Sequence, residues 1–445
     1  MRPEAQELNV DADWRGQYEN RIVTPEEVVA KVASGDRIRT VAGHECPSLL
    51  AALTARSDEL RNVEIRQIAA WSDYGLYSRE WADTIRTNLS FATPPTRQGV
   101  AEGFIDYTLV GFGDIDRDLD QGRAGSSPYD FCWFTVTPPN EDGFCCTGAE
   151  LWDLRNAMKR SKTKIAGVNR YLPRTSGNTW VHVSEIDYFF EADEPAPERM
   201  RRDPQPMAKK VAGYISALVK NGDTLQIGAG TTTNALPQLG AFDDKEDLGY
   251  FAETSPPGML DLVRRGIVTS KYATLHPKKF VTTGLTSGGP DDWAYVDGNP
   301  FFEFHDYDYM LDPAVIGRND NLVAINNALS VDLLGQVVVS AMGQRFRAGT
   351  GGQLGYHLGA FLSKGGRAIT VLPSTTSDGN ISRIVREHPQ GQVVTVPSDI
   401  ADTVVTEFGV AELLGKSIRQ RAEALIAIAH PDVRAELRTA IRGLS

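Results

Sequence analysis

The sequence predicts an α/β protein built from two similar, open and mainly parallel domains. Short apolar runs alternate with helix-like stretches along most of the chain, which is typical of parallel strands joined by helical crossovers. One helix–turn–strand–glycine order also occurs twice, since Asp36 and Gly43 are matched later by Asp223 and Gly230. The 445 residues exceed one ordinary hydrophobic core. We therefore expect two domains of one design, although common Gly-Asp turns offer a simpler origin for the similarity.

The two halves begin with the same predicted elements. In the first half, a helical pattern from Pro25 leads to a strand over 37–41 and a helix from Pro47. In the second half, a helix over 208–220 leads to a strand over 224–227 and a helix from Asn234. Short apolar runs predict further strands over 108–110, 164–168, 322–325, 368–372 and 392–396.

A charged, proline-rich stretch separates the halves. Residues 191–206 show no hydrophobic periodicity and predict a linker. This places the domains at 1–195 and 205–445. The chain closes with an amphipathic helical stretch over 417–442, interrupted at His430-Pro431 because proline lacks the amide that a helix needs.

Composition excludes several classes of function. A net charge of −12 argues against nucleic acid or an anionic membrane as partner. The apolar runs are too short to span a bilayer, and the polar first 16 residues lack the core of a signal peptide. Four cysteines without a CxxC pair indicate reduced thiols in a cytoplasm. The seven histidines have no metal-binding spacing, so no metal is expected.

Glu253 is the candidate catalytic residue. It follows an apolar strand-like run and precedes a Pro-Pro-Gly segment that opens a helix. Open α/β sheets carry their working side chains at such strand ends. Placement alone also suits a capping or solvated carboxylate, so the surrounding motifs decide the interpretation.

Two glycine-rich loops are candidate ligand sites. The first runs from Gly228 and Gly230 through Thr231, Thr232, Thr233 and Asn234, between a strand and a helix opening. Glycine lets main chain approach a ligand, and a helix start favours an anion, although a tight turn packed for structural reasons has the same composition. The second loop contains Gly349, Gly351 and Gly352, and its alternative is a flexible surface loop. Lys364 is a candidate phosphate-binding cation, with solvated surface charge as its alternative.

These segments together resemble the acetyl-CoA hydrolase/transferase group of family I CoA-transferases, over nearly the whole chain. The likeness rests on residues 136–144, 168–177, 324–336, 349–356, 404–411 and 428–431. Glu253 occupies the position of the catalytic glutamate in the family's DLGxHTEM-like segment. Phe251 and Ala252 replace its His-Thr, and Gly355 replaces the Asp of the family's GxGGxxDF loop.

The resemblance implies a CoA-transferase that works by ping-pong chemistry, with Glu253 carrying a glutamyl-CoA thioester. It implies an acyl-CoA and a free carboxylic acid as substrates, coenzyme A as the carried group, and a homodimer or higher homo-oligomer. The two glycine loops would provide oxyanion sites, and Asn326 would orient Glu253 or a bound carbonyl. The first domain would supply the acyl pocket, for which an aromatic segment containing Trp71, Tyr74, Tyr77 and Trp81 is the candidate, unless it packs as core.

Two other functions remain open at this point. A hydrolase on the same scaffold, either a thioesterase or a C–C hydrolase, would admit water where the residues beside Glu253 have changed. A non-catalytic acyl-CoA-binding protein would need no nucleophile, and the retained Glu253 argues against it.

Overall fold

Two large sheets form the frame of the computed structural model, which describes residues 13–111, 122, 127–195, 206–286, 288–349 and 351–440. The first sheet has seven parallel strands in the order β10-β7-β5-β1-β2-β3-β4. Their bounds are β1 Arg37–Thr40, β2 Val63–Arg66, β3 Ile85–Leu89, β4 Asp106–Tyr107, β5 Tyr129–Val136, β7 Ser161–Val168 and β10 Tyr188–Glu191. Strand β5 is apolar and buried along nearly its whole length, as expected for a strand covered on both faces.

The second sheet has nine strands in the order β23-β22-β20-β15-β11-β12-β13-β14-β8. All neighbours are parallel except β22 and β23. The bounds are β8 Ser176–Gly177, β11 Thr224–Ile227, β12 Gly249–Phe251, β13 Phe280–Thr282, β14 Phe302–Phe304, β15 Leu322–Asn327, β20 Arg367–Val371, β22 Thr403–Thr406 and β23 Gly409–Glu412.

The two sheets share one topology. The second sheet has one additional strand at each edge, β23 and β8. When these two are left out and the strands of each sheet are numbered along the chain, both sheets have the order 7-6-5-1-2-3-4. This bears out the predicted pair of similar α/β designs. The order reverses between β11 and β15 in the second sheet. Open α/β sheets bind ligands at such a switch point, beyond the carboxyl ends of the strands.

Helices and smaller sheets complete the architecture. Among the described residues, the α-helices are Trp14–Asn20, Pro25–Val29, Pro47–Thr54, Arg97–Glu102, Leu154–Lys159, Pro206–Leu218, Met259–Arg264, Pro290–Val296, Tyr307–Leu311, Pro313–Ile316, Gln353–Leu362, Ile418–Ile428 and Arg434–Ala440. Short strands pair as β6 Phe144–Cys146 with β9 Trp180–His182, β18 Ala341–Met342 with β19 Arg345–Phe346, and β16 Ser330–Asp332 with both β17 Val337–Val338 and β21 Ile384–Val385. None of the described helices has both the length and the apolarity to cross a membrane.

Local sequence explains several helix boundaries. Thr24 caps Pro25–Val29 through a capping box with Glu27, and Pro25 occupies the first turn, where its missing amide costs nothing. Ser417 forms the same motif with Gln420 at the start of Ile418–Ile428. His430-Pro431 then separates that helix from Arg434–Ala440, as predicted.

The halves are joined by core packing and by main-chain pairing. One apolar cluster extends from Val41 and Phe134 in the first half to Leu225 and Phe251 in the second. Strand β8 comes from the first half but forms the edge of the second sheet beside β14. Glu150 also forms a bridge with Gly284. The first half therefore fixes the loop that follows β13.

Some predicted elements were wrong. The helix expected from Asn234 is a 3₁₀ turn over Thr233–Ala235, because the chain bends again at once. Residues 392–396 form no strand; Val396 makes one isolated bridge to Val337. The strand expected over 108–110 lies at Asp106–Tyr107. The predicted linker falls partly on residues 196–205, which lie outside the described residues, so the domain limits stay a prediction.

Candidate active site

Glu253 lies two residues beyond the carboxyl end of β12, on a main chain held by three hydrogen bonds. Its carbonyl oxygen accepts the amides of Thr283 at 3.1 Å and Gly284 at 3.3 Å, and the Thr282 hydroxyl at 3.0 Å. All three donors belong to the end of β13 or to the loop after it. The nucleophile candidate therefore sits on a fixed strand end, near the switch point of the second sheet.

The Glu253 side chain is partly exposed, yet its surroundings disfavour the charged form. Desolvation raises the pKa of its carboxyl to about 7, against 4.5 for an ordinary Glu, and a hydrogen bond from the Gly352 amide acts in the opposite direction. The rings of Tyr307 and Tyr356 are buried nearby, and the Glu253 charge contributes to raising the pKa of each phenol, after burial itself. A carboxylate in such a site is poorly solvated and correspondingly reactive.

A side chain at Gly352 would displace the side chains that surround it. A methyl group there would lie 2.5 Å from Leu311 Cδ2, 2.8 Å from Glu253 Oε2 and 2.9 Å from Tyr356 Cε2. Gly352 also caps the ten-residue helix Gln353–Leu362. The amide that reaches Glu253 thus belongs to a helix start, whose partial positive charge favours an anion.

Residues of the first half hold the rest of this glycine loop. A side chain at Gly349 would collide with Phe91, whose Cδ2 lies 2.6 Å from the methyl position. The Tyr107 hydroxyl donates to the carbonyl of Ala348 at 2.8 Å, and the Tyr107 ring stacks on Phe346 at 4.6 Å between centroids. The first half therefore sets the position of the loop that reaches the carboxylate. Sequence reasoning missed Phe91 and Tyr107, since neither lies in a recognisable motif.

Gly351 is the glycine of the second loop that no other residue crowds. Its φ of +51° lies in the left-handed region, and a methyl group there would meet no atom within 4 Å. Packing therefore does not demand glycine at this position, whereas backbone conformation and close approach by a ligand both favour it.

Packing against neighbouring side chains explains the glycines of the first loop, Gly228 and Gly230, an alternative that the sequence left open. Gly228 leaves room for the Asn326 side chain, and Gly230 leaves room for Asn327. The Gly228 amide donates to the Ile325 carbonyl at 2.9 Å, and the Gly230 amide donates to Asn234 Oδ1 at 3.2 Å. These two amides are already engaged, so neither is the free oxyanion donor that the sequence suggested.

Thr233 and Asn234 support the shape of that loop through their side chains. The Thr233 hydroxyl donates to the carbonyl of Gly228 and accepts from the Asn327 amide. Thr232 is buried, whereas Thr231 is exposed. Asn326 forms a double amide pair with Gln226, through hydrogen bonds of 2.8 and 3.2 Å. The structure thus commits Asn326 to Gln226 and shows no hydrogen bond from it to Glu253.

Lys364 lies at the amino ends of the strands of the second sheet, whereas Glu253 lies beyond their carboxyl ends. Its carbonyl accepts the amide of Asn321 at 2.8 Å, and both residues precede parallel strands, β20 and β15 respectively. The helix Gln353–Leu362, about 15 Å long at 1.5 Å per residue, separates Lys364 from Gly352. The structure does not bring Lys364 to the site, because a single helix crosses the sheet between them.

The aromatic segment of the first half divides into core and surface. Tyr77 is buried and its hydroxyl accepts from Gln67 Nε2 at 3.2 Å, and Tyr74 and Trp81 pack against the same core. Trp71 is 47% exposed and its ring centroid lies 6.1 Å from that of Phe91. Trp71 is therefore the member of this segment that adjoins the glycine loop, through Phe91.

Comparison with models of known protein families shows the family to which the chain belongs. Residues 6–198 match the model of the acetyl-CoA hydrolase/transferase N-terminal domain, and residues 288–441 match that of the C-terminal domain. The chain belongs to the acetyl-CoA hydrolase/transferase family. The family recognised from the sequence motifs is confirmed.

Individual relatives in this family cover nearly the whole chain. The 4-hydroxybutyrate coenzyme A transferase of Clostridium kluyveri is 36% identical over 96% of this chain and 98% of its own. The succinyl-CoA:cyclohexane-1-carboxylate CoA transferase of Geobacter metallireducens is 36% identical over 98% of both chains. The crystal structure of RipA from Yersinia pestis superposes with a TM-score of 0.88, at 31% identity, over 97% of this chain and 99% of its own. An acetyl-CoA hydrolase of Schizosaccharomyces pombe is more distant, with 26% identity over 77% of this chain and 73% of its own.

Proposed function

We propose that the chain is an acyl-CoA:carboxylate CoA-transferase and that Glu253 is its nucleophile. The observation that carries the proposal is the packing of the Glu253 carboxylate against the Gly352 main chain at a helix start, in a site that raises the carboxyl pKa to about 7. The relatives at 36% identity that are named as transferases support the same reaction. The predicted cytoplasmic location and homodimer belong to this proposal.

The chemistry follows from a carboxylate nucleophile. Glu253 attacks the thioester carbonyl of an acyl-CoA, the C–S bond breaks, and an acyl-glutamyl anhydride and CoA thiolate form. The thiolate then attacks the glutamyl carbonyl, which releases the acyl group as a free carboxylate and leaves a glutamyl-CoA thioester. The acceptor carboxylate repeats these two steps in reverse. An anhydride retains the free energy of the thioester, and only a carboxylate nucleophile provides one.

Each tetrahedral intermediate needs donors aimed at its oxyanion. The Gly352 amide already reaches the Glu253 carboxylate, so it is our candidate donor for the oxyanion that forms on the glutamyl carbonyl. Gly351 faces open space beside it, where main chain can approach the thioester carbonyl or pantetheine. The Gly228–Gly230 loop shapes the site, because its two glycine amides are bonded within the protein.

Transfer requires that water be kept from the anhydride and the thioester. Phe251 and Ala252, which replace the family's His-Thr, are buried to 1% exposure or less. Both changed positions next to Glu253 are therefore apolar and buried, and neither brings a polar side chain to the carboxylate. This favours transfer over the hydrolase alternative.

An acceptor test separates the three functions. The enzyme is supplied with labelled acyl-CoA while the concentration of a free carboxylic acid is varied, and CoA-containing products are followed by mass spectrometry. A transferase moves CoA intact to the acid and gives parallel lines in double-reciprocal plots. Release of free CoA at one rate with or without acid would contradict the proposal in favour of a hydrolase. Binding without turnover of any acyl-CoA would contradict it in favour of an acyl-CoA-binding protein.

A further inference from the structure

Two histidines and a glutamate meet at the β13–β14 side of the second sheet, although their spacing in the sequence gave no sign of it. His276 Nδ1 lies 2.8 Å from Glu303 Oε2, and His305 Nε2 lies 3.4 Å from the same oxygen. The donor atoms of all three residues lie within 4.8 Å of one another. Glu303 belongs to β14 and His305 follows it directly, whereas His276 precedes β13. The fold therefore assembles the cluster from two separate segments.

Neighbouring groups fix the orientation of two of these side chains. The second ring nitrogen of His276, Nε2, is hydrogen-bonded to the Tyr309 hydroxyl at 2.8 Å. The Lys279 ammonium lies 3.3 Å from the other carboxylate oxygen, Glu303 Oε1, and donates to the carbonyl of Pro300 at 2.6 Å. Glu303 Oε2, His276 Nδ1 and His305 Nε2 are thus turned toward a common point. Metal sites use outer partners of this kind to orient their ligands.

We propose that His276, Glu303 and His305 bind one divalent transition-metal ion of the zinc type. Two imidazole nitrogens and one carboxylate oxygen suit Zn²⁺, Co²⁺ or Ni²⁺, whereas Mg²⁺ and Ca²⁺ prefer oxygen ligands. Bonds of about 2.0–2.1 Å in tetrahedral geometry place ligand atoms roughly 3.4 Å apart. The His305–Glu303 pair already has that separation, and the His276–Glu303 pair reaches it through a small opening of the cluster.

Access and charge are compatible with an ion at this place. The three side chains are 16–22% exposed, so a hydrated ion can enter and keep a water molecule as its fourth ligand. The Lys279 ammonium repels a cation, but it is anchored to Pro300 and to the oxygen that faces away from the histidines. Lys279 therefore acts as an outer partner of Glu303.

The cluster adjoins the candidate active site through one short helix. Tyr309, which contacts His276, belongs to the helix Tyr307–Leu311. Leu311 from the same helix packs at the Gly352 position, beside Glu253. A bound ion would tie the loop before β13, strand β14 and this helix together. We expect the ion to raise the melting temperature of the protein by several degrees.

The experiment titrates tag-free, metal-stripped protein with Zn²⁺ by calorimetry and with Co²⁺ by visible absorption. We expect one Zn²⁺ per chain, and a four- or five-coordinate Co²⁺ spectrum without the thiolate charge-transfer band that the cysteines would give. His305→Ala and His276→Asn should each weaken Zn²⁺ binding at least 100-fold. Asn is used at position 276 because the φ of +49° there is tolerated by Asn. Tyr309→Phe should weaken binding about 10-fold.

His430→Gln is the matched control, because His430 lies near a carboxylate of Asp432 but away from the cluster. It should bind Zn²⁺ like the wild type. Melting curves in metal-free buffer confirm that each variant is folded. Glu303→Gln keeps the shape of the side chain but removes the charged carboxylate ligand, so it should also weaken Zn²⁺ binding. The proposal is overturned if the wild type takes up no stoichiometric Zn²⁺. It is equally overturned if folded His305→Ala and His276→Asn proteins bind Zn²⁺ as the wild type does.

Discussion

Replacing Glu253 by Gln should stabilise the protein at high pH and leave its stability at low pH nearly unchanged. Desolvation raises the pKa of the Glu253 carboxyl to about 7 in the folded state, against 4.5 for an ordinary Glu. The folded protein therefore binds more protons than the unfolded chain between these values. Its free energy of unfolding falls as pH rises through that window, and the loss is complete above pH 7.

The size of the effect follows from the same two pKa values. Each pH unit between them corresponds to about 1.4 kcal/mol, so the ionised carboxylate costs on the order of 3 kcal/mol. This is an upper bound, since Glu253 keeps part of its solvent exposure. Gln has nearly the same shape, carries no charge and retains an acceptor for the Gly352 amide. The stability difference between variant and wild type should thus grow by about 2–3 kcal/mol from pH 5 to pH 8.

Urea unfolding of both proteins at several pH values measures this difference, and the contributions of all other titrating groups cancel in it. Glu423→Gln, at an exposed position of the helix Ile418–Ile428, is the control and should track the wild type at every pH. If the Glu253→Gln and wild-type curves run parallel from pH 5 to pH 8, the carboxyl has an ordinary pKa and the reasoning is refuted.

Three further predictions concern turnover. The value of kcat/KM should rise from pH 6 to pH 8 with a midpoint near 7, because the attacking group is ionised Glu253; a flat profile would show that this ionisation does not limit the reaction. Gly351→Asn should lower kcat at least tenfold while the protein stays folded, since Asn tolerates the φ of +51° and its side chain enters open space; wild-type kinetics would remove Gly351 from the site. Tyr107→Phe, which deletes the hydrogen bond to Ala348, should cost about 1 kcal/mol of stability and lower kcat several-fold; a stability loss with unchanged kcat would limit Tyr107 to a structural role.

The fold was largely predictable because its signals are local. Strand β11 matches the predicted 224–227 run residue for residue, and β15 and β20 begin within one residue of prediction. Parallel strands buried on both faces have short apolar runs that stand out from polar surroundings. The helix expected from Asn234 failed because a helix-opening composition also suits a turn, and here the chain turns after Thr233–Ala235.

The site was predictable only where the resemblance named a residue. The structure places Gly352 beside Glu253, the residue that the resemblance named. The Asn326–Gln226 pair, the Tyr107–Ala348 contact and the His276–Glu303–His305 cluster join residues that are far apart in the chain. Sequence spacing carries no information on such contacts, since it is the sheet order that creates them. Lys364 shows the converse case, where closeness in sequence to a glycine loop did not mean closeness in space.

Trapping of the covalent intermediate tests the central claim most directly. The enzyme is incubated with an acyl-CoA, without acceptor, and then treated with borohydride, which reduces a thioester to an alcohol. We predict rapid inactivation that depends on acyl-CoA, and peptide mapping should find the reduced side chain at Glu253. Reduction at another residue, or full activity after borohydride treatment during turnover, would contradict the assignment of Glu253 as the residue that carries CoA.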